Sequence, residues 1–239
     1  MTLPLLLSVP HIGLAVPPEA QPYCQLTEND IIQDDDEHGA EIYDLSAHVA
    51  EYVTTDVARA IVDLNRAEDD RRADGVVKTH TCWNVPVYRK CPPPDVIETL
   101  LTRYYRPYHT RLSEFGHRAA EAASASPIRL AVDCHTMAAV GPPIAPDTGK
   151  VRPAVCLGDA GGRTLPNGWM DQLFACFENA FGDDVTINQP FSGGYITQTH
   201  GREMPWVQVE LSRGPFLSNE EKRTRVLQAL TDFCEAEFH

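Results

Sequence analysis

Short runs of branched apolar residues alternate along this chain with longer segments that have helical patterning. Runs of this kind form strands, and runs that are apolar on both faces are typical of a parallel sheet covered by helices. We expect five strands: LPLLLSV (3–9), ARAIVDL (58–64), IRLAVD (128–133), DVTIN (184–188) and WVQVEL (206–211). The alternation predicts an α/β fold built on a mixed, mostly parallel sheet.

Four helices are expected between and after these strands. Proline and acidic residues suit the first turn of a helix, and they stand at the start of two of the segments, in PPPD and SNEE. The predicted helices cover about 40–50, 95–122, 168–181 and 218–237. Because the chain shows no internal repeat and no long linker, we expect residues 1–239 to form a single domain.

Composition excludes several classes of protein. Acidic residues outnumber basic ones 34 to 20, for a net charge of −14, which argues against a surface that binds nucleic acid. The apolar run 3–9 is too short to span a bilayer and lacks the features of a signal peptide, so no membrane role is expected. The 7 cysteines are scattered and never spaced as C-x-x-C, which favours reduced thiols in the cytoplasm.

Polar residues stand at or just beyond the ends of the predicted strands. In open α/β sheets, ligands bind beyond the carboxyl ends of the strands. Two histidines and one carboxylate form a catalytic zinc site that leaves one coordination position open. This chain offers such residues, together with the acidic stretch DDDEHGAE (34–41): His11, Asn65, Arg66, His135 and Glu210.

Each of these residues also fits a purely structural role. A histidine at a strand end is often a hydrogen-bonded core residue, and Arg66 has acidic neighbours in EDD (68–70) with which to pair. The acidic stretch suits a solvated loop before a helix. Their recurrence at one kind of place in the topology favours the metal site. A Cys134–His135 nucleophile is disfavoured, because neighbours on a strand point to opposite faces.

Eight short motifs, in order and spread over nearly the whole chain, resemble those of the N-formylglutamate amidohydrolase family. They are SVPHIG, DDDEH, IVDLNRAEDD, VVKTHTCWNVPVY, YYRPYH, LAVDCHTM, PFSGGYIT and VQVELSR. That family is in turn similar to the zinc carboxypeptidase and aspartoacylase group. The resemblance implies a three-layer α/β/α sandwich of the zinc-carboxypeptidase kind.

The resemblance also implies one zinc ion per chain, held by His11, His135 and one carboxylate. Zinc carboxypeptidases use a glutamate three residues after the first histidine, but Leu14 stands there in this chain. Asp36 matches the family's Asp-x-His step and is therefore the expected third ligand. The alternatives nearby are Asp35 and Glu37, with His38 in support. Manganese, iron or cobalt also suits such a site.

Further residues take roles in substrate binding on the same grounds. The resemblance implies that Arg66, with Asn65, meets a substrate carboxylate or polarises the carbonyl, and that Gly194 and Tyr195 lie in a loop over the substrate. Family members typically read GGYITRHYG where this chain has GGYITQTHG. A cation is therefore lost at Gln198, and Arg202 is the expected replacement.

The implied reaction is amide hydrolysis. Glu210 takes the proton of the attacking water, and N-formylglutamate yields formate and glutamate, as in histidine breakdown. Asp133 shares a strand face with His135, so it either holds the other ring nitrogen of His135 or caps the strand. Two alternatives remain open, a zinc deacylase or carboxypeptidase for another N-acyl amino acid and a catalytically silent protein that binds small carboxylates.

Overall fold

The computed structural model describes residues 2–122, 128–143 and 145–238. Their strands form one 6-stranded sheet in the order β2-β1-β3-β6-β4-β5. All neighbours pair in parallel except β4 and β6, which are antiparallel. The predicted mixed, mostly parallel sheet is therefore confirmed. The strands are β1 (Leu3–Val9), β2 (Val49–Thr54), β3 (Leu130–Met137), β4 (Val155–Gly158), β5 (Val185–Ile187) and β6 (Trp206–Ser212).

The three long predicted helices are confirmed to within a residue or two. The segment predicted at 95–122 consists of α3, a π-helical segment (Leu101–Tyr105) and α4, without a break. In the described part of the chain, no helix has the length and apolar character needed to cross a membrane. The helices are α1 (Glu28–Asp34), α2 (Gly39–Ile42), α3 (Pro94–Leu100), α4 (Arg106–Ala122), α5 (Trp169–Phe181), α6 (Tyr195–His200) and α7 (Asn219–Phe238).

The two faces of β3 carry different chemistry. Leu130, Val132 and Cys134 point into an apolar core that also contains side chains of α5 and α7. Because side chains alternate along a strand, Asp133 and His135 point to the opposite face. All residues of β3 are buried. Cys134 thus packs into the core, and the acid and the imidazole share the face that carries the candidate site, as predicted.

The segment 58–64 is not a strand, contrary to the sequence prediction. It forms hydrogen-bonded turns, in which the amides of Ile61 and Val62 both donate to the carbonyl of Ala58. Ile61, Val62 and Leu64 are buried. The residues of this apolar run are therefore buried in a second hydrophobic core and do not pair in the sheet. In a run this short, periodicity alone does not distinguish a buried turn from a buried strand.

The prediction of a helix at about 40–50 is also wrong for most of its length. Helix α2 ends at Ile42, and Val49 opens strand β2 at the edge of the sheet. The sequence also failed to predict three short elements, namely α1 (7 residues), β4 (4 residues) and α6 (6 residues). Elements of this length have too few positions to establish a period.

Candidate metal centre

Three buried side chains from distant parts of the chain meet at the carboxyl ends of β1 and β3. His11 follows β1, His135 lies near the end of β3, and Asp36 follows α1. The carboxylate oxygen Oδ2 of Asp36 lies 3.5 Å from Nδ1 of His11 and 3.0 Å from Nδ1 of His135. One ligand atom from each residue lies within 4.8 Å of the other two. The structure thus brings together the three residues predicted to hold a metal ion.

Two further aspartates fix the orientation of the imidazole rings. Nε2 of His11 lies 2.9 Å from Oδ1 of Asp63, and Nε2 of His135 lies 3.0 Å from Oδ1 of Asp133. Nε2–H of His11 therefore donates to Asp63, which leaves its Nδ1 facing Asp36 as the available ligand atom. At His135, Nδ1 hydrogen-bonds to Oδ2 of Asp36, and Nε2 lies near both Asp133 and the side-chain amide of Asn65. Nδ1 of His11 is buried and has no hydrogen-bond partner among the described residues. A buried polar atom without a partner is costly, and a metal ion at this point would satisfy it.

Within the acidic stretch 34–41, Asp36 faces the two histidines, whereas its neighbours Asp35 and Glu37 do not. Glu37 is 44 % exposed and faces His38, whose Nε2 lies 3.6 Å from its carboxylate. Asp35 is buried, but its carboxylate does not join the two ring nitrogens, and burial raises its pKa to about 8. Burial alone would also raise the pKa of Asp36, yet the two adjacent histidines hold it well below its usual range. Asp36 therefore remains anionic, as a metal ligand must.

Arg59 is a residue of this site that sequence reasoning missed. Its Nη1 lies 3.2 Å from Oδ1 of Asp36, and its Nε lies 3.2 Å from Oδ2 of Asp63. The guanidinium thus locks the metal-facing carboxylate and the carboxylate that orients His11. Arg59 was missed because the segment 58–64 was predicted to be a strand. A basic residue in an apolar strand is typical of a sheet edge rather than of a functional site.

Buried acidic groups outnumber buried basic groups around this point. Lys78 donates to Asp34 at 2.7 Å and lies 3.7 Å from Asp63, which extends the network away from the histidines. A cation is favoured where unbalanced negative charge is held in a low-dielectric interior. The charged members of the network are Asp34, Asp36, Asp63 and Asp133, all buried, against the buried Lys78 and the partly buried Arg59 and Arg66.

Glu210 lies beside His135 on the same face of the sheet. The two residues are in register across the parallel pair β3–β6, so their side chains point the same way. Nε2 of Gln208 donates to Oε1 of Glu210 at 2.6 Å. Burial raises the pKa of Glu210 to about 7, with His135 opposing the shift and Asp36 adding to it. The carboxylate is therefore poised to exchange a proton near neutral pH.

Asn65 connects His135 to the first turn of α6. Its Nδ2 lies 3.2 Å from Nε2 of His135, and its Oδ1 accepts from the amide of Ile196 at 2.9 Å. A Cβ at Gly194 would lie 2.2 Å from Nδ2 of Asn65. Only glycine permits this approach.

The predicted substrate-binding residues Arg66, Tyr195 and Arg202 lie in different places. Arg66 lies next to the site, with Nη1 3.9 Å from Oδ2 of Asp63, and it pairs with Asp74 rather than with the acids at 68–70. Tyr195 opens α6, and its ring packs edge-on against His109, 5.5 Å between centroids. Arg202 is exposed in the turn after α6 and makes no ion pair with the described residues.

A second polar cluster, also missed from the sequence, lies behind the Asn65 loop. Nε2 of His109 donates to the carbonyl of Leu64 at 3.0 Å, so Nδ1 of His109 accepts from Nε2 of His200 at 2.9 Å. Nδ1 of His200 lies 2.9 Å from the carboxylate of Glu203. The chain of contacts ties α4 and α6 to the backbone next to Asn65.

A sequence profile of the N-formylglutamate amidohydrolase family matches residues 3–216, which contain every residue of the site described above. The chain belongs to the N-formylglutamate amidohydrolase family. Over 233 residues it is 27% identical to the N-formylglutamate deformylase of Pseudomonas putida, covering 93% of this chain and 85% of that protein. The family resemblance drawn from the eight motifs is confirmed.

Solved structures share the fold of this family member. The crystal structure of N-formylglutamate amidohydrolase from Ralstonia eutropha JMP134 superposes with a TM-score of 0.76 at 18% identity, covering 98% of this chain and 93% of that one. The crystal structure of a gene product from Agrobacterium tumefaciens gives a TM-score of 0.72 at 15% identity, with coverages of 98% and 88%. At these identities the two structures establish a common fold.

Proposed function

We propose that this chain is a zinc-dependent amidohydrolase that cleaves the N-acyl amide of a small acidic amino acid derivative, with N-formyl-L-glutamate as substrate and formate and glutamate as products. The observation that carries the proposal is the convergence of two Nδ1 atoms on the Asp36 carboxylate, in a chain that belongs to this family. The relative from Pseudomonas putida is a deformylase of N-formylglutamate by name, which supports the same substrate.

The residues present fit a divalent transition metal. His11, Asp36 and His135 supply the donor set of a catalytic zinc site, and Asp63 behind the His11 ring holds the tautomer that such binding needs. When bound, zinc would supply Lewis-acid polarisation of the acyl carbonyl and would lower the pKa of a water molecule to about 7. We also propose that the fold is a three-layer α/β/α sandwich of the zinc-carboxypeptidase kind.

The protein side chains then move the proton and hold the substrate. Glu210 accepts the proton of the attacking water and passes it to the leaving nitrogen, so that the amine departs neutral. Asn65 and Arg66 bind the carboxylate next to the scissile amide, because both carry hydrogen-bond donors, Asn65 adjoins His135, and Arg66 lies beside Asp63, the partner of His11. No covalent intermediate is required.

The cysteines support the cellular setting that we propose. All 7 are free thiols, and those that lie in β3, β4, α5 and α7 are buried. This supports a cytoplasmic enzyme, where thiols stay reduced.

A second candidate keeps the chemistry and changes the substrate. Gln198 stands where family members carry a basic residue, and its side chain donates to the carbonyl of Gly193 at 2.7 Å. Arg202, the expected replacement, is exposed. These observations favour testing other N-acyl amino acids, whereas a catalytically silent carboxylate-binding protein has no use for the buried Glu210.

Hydrolysis of a panel of substrates tests the proposal. Zinc-loaded protein is incubated with the N-formyl, N-acetyl and N-succinyl derivatives of glutamate and of neutral amino acids, and the released amine is quantified. The proposal predicts the highest kcat/KM for N-formylglutamate. A preference for another acyl group or amino acid supports the second candidate, and no turnover of any member of the panel supports the silent protein.

A further inference from the structure

A groove opens at the carboxyl edge of β3 and β6, next to the candidate metal centre. Its volume is about 510 Å³. Arg213 and Glu37 lie on its polar side, and Trp83, Ala139 and Pro215 form apolar walls. The Trp83 ring is 37% exposed, while its Nε1 donates to the carbonyl of Gln33 at 2.8 Å. The ring is thus fixed in place with part of its surface open to the groove.

Arg213 is a cation that lacks an anionic partner. Its one side-chain hydrogen bond runs from Nη1 to the backbone carbonyl of Asp35 at 3.0 Å, and no ion pair joins it to a carboxylate in the described residues. The guanidiniums of Arg59 and Arg66, by contrast, both pair with aspartates. A half-buried guanidinium with free N–H groups is suited to bidentate binding of a carboxylate.

The backbone places this guanidinium next to the reaction centre. Asp35, which holds Nη1 of Arg213, precedes the metal-facing Asp36, and consecutive Cα atoms are about 3.8 Å apart. The amide of Arg213 donates to the carbonyl of Met137 at 2.8 Å, two residues beyond His135. Arg213 also follows Glu210 by three positions on the same strand end. These contacts place Arg213 beside the chain segments that carry Asp36, His135 and Glu210.

We infer that Arg213 binds the side-chain carboxylate of an acidic N-acyl amino acid, with the methylene groups of the substrate against Trp83 and Pro215. The inference rests on the proposed function, in which Asn65 and Arg66 meet the α-carboxylate. It assigns the second negative charge of the substrate to Arg213 rather than to a residue at the Gln198 position. Glu37 opposes this binding, since its carboxylate lines the same groove and its partner is His38.

Equilibrium binding to Arg213→Gln protein tests the inference without depending on turnover. Kd is measured by calorimetry for N-formylglutamate and for N-formylglutamine, on zinc-loaded protein that carries Glu210→Gln so that neither ligand is consumed. Charged hydrogen bonds contribute about 1.5–3 kcal/mol, so Arg213→Gln is expected to weaken N-formylglutamate about 10- to 100-fold. N-formylglutamine, which is neutral at that position, should change less than about twofold.

Two charge variants sharpen the result. Arg118→Gln removes an exposed arginine on α4 and should change neither Kd. Glu37→Gln removes the opposing charge and should tighten N-formylglutamate about two- to fivefold. Opposite shifts from Arg213→Gln and Glu37→Gln, both confined to the acidic ligand, are the signature of a carboxylate in this groove.

The contradicting results are specific. Equal weakening of both ligands by Arg213→Gln, with an unchanged unfolding transition, overturns the assignment to the side-chain carboxylate. An unchanged Kd for N-formylglutamate, or no binding of either ligand to the zinc-loaded protein, overturns it as well. Failure of the proposed function is seen separately, as absence of hydrolysis by the protein with Glu210 intact.

Discussion

Single atoms decide the chemistry of this site. In His11 and in His135, Nε2 lies next to one aspartate, Asp63 or Asp133, and Nδ1 lies next to the carboxylate of Asp36. Because the Nε2 proton of His11 is already taken by the Asp63 carboxylate, Nδ1 is the nitrogen of that ring that faces Asp36 without a hydrogen-bond partner among the described residues. The sequence predicts which residues converge here but not which nitrogens face one another, since that depends on Asp63, a residue of the misassigned segment.

Replacement of Asp63 by Asn tests the orienting role. The amide cannot accept from Nε2 of His11 with the strength of a carboxylate, and it also weakens the contact with Arg59. Zinc affinity, measured by competition with a chromogenic chelator, is expected to fall about 10- to 100-fold. Asp69→Asn, at an exposed position nearby, is the matched control. Equal zinc affinity for the Asp63 variant and wild type would remove the orienting role.

Replacement of Glu210 by Gln tests the proton carrier. The variant keeps the shape and the contact with Gln208 but cannot accept a proton, so kcat for N-formylglutamate is expected to fall about 10²- to 10⁴-fold. Zinc content should stay that of wild type, because Glu210 is not among the three converging residues. A variant that retains more than half of the wild-type kcat would show that another group carries the proton.

At the scale of elements, α4 and α6 are joined by histidines rather than by apolar packing alone. His109 and His200 stack with ring centroids 5.2 Å apart and connect to the carbonyl of Leu64 at one end and to Glu203 at the other. The sequence predicts α4 from its length and periodicity. It does not predict α6 or this connection, since a six-residue helix has little periodic signal and histidine pairing depends on how the helices pack.

Acid should weaken this connection. Burial, with a contribution from His200, lowers the pKa of His109 from 6.5 to about 4, so its neutral form is favoured in the folded protein. Between those pH values the unfolded chain binds the extra proton. The stability is therefore present above pH ~6.5 and is lost as the pH falls, by about 2 kcal/mol at pH ~5.

The measurement is urea unfolding of wild type and His109→Gln at pH 7.5 and pH 5. The stability advantage of wild type over the variant is expected to shrink at the lower pH, because only wild type takes up this proton on unfolding. A difference in unfolding free energy that is the same at both pH values would contradict the assignment of the shift to His109.

At the scale of the molecule, the sheet explains why the site is where the sequence placed it. Strands β1, β3 and β6 are parallel neighbours, so the residues at their carboxyl ends meet at one edge. Strand periodicity is sufficient to predict this meeting of His11, His135 and Glu210. Arg59, His109 and Arg213 were not predictable as site residues, because turns and helix packing place them and neither leaves a periodic signal.

Removal and restoration of metal is the most direct test of the account. Purified protein is assayed for formate release from N-formylglutamate before chelation, after dialysis against a chelator, and after titration with zinc. The account predicts loss of activity on chelation and recovery that saturates near one zinc per chain, with neither zinc uptake nor recovery for His135→Ala. Formate release that survives complete removal of metal, or none at full zinc occupancy, would contradict it.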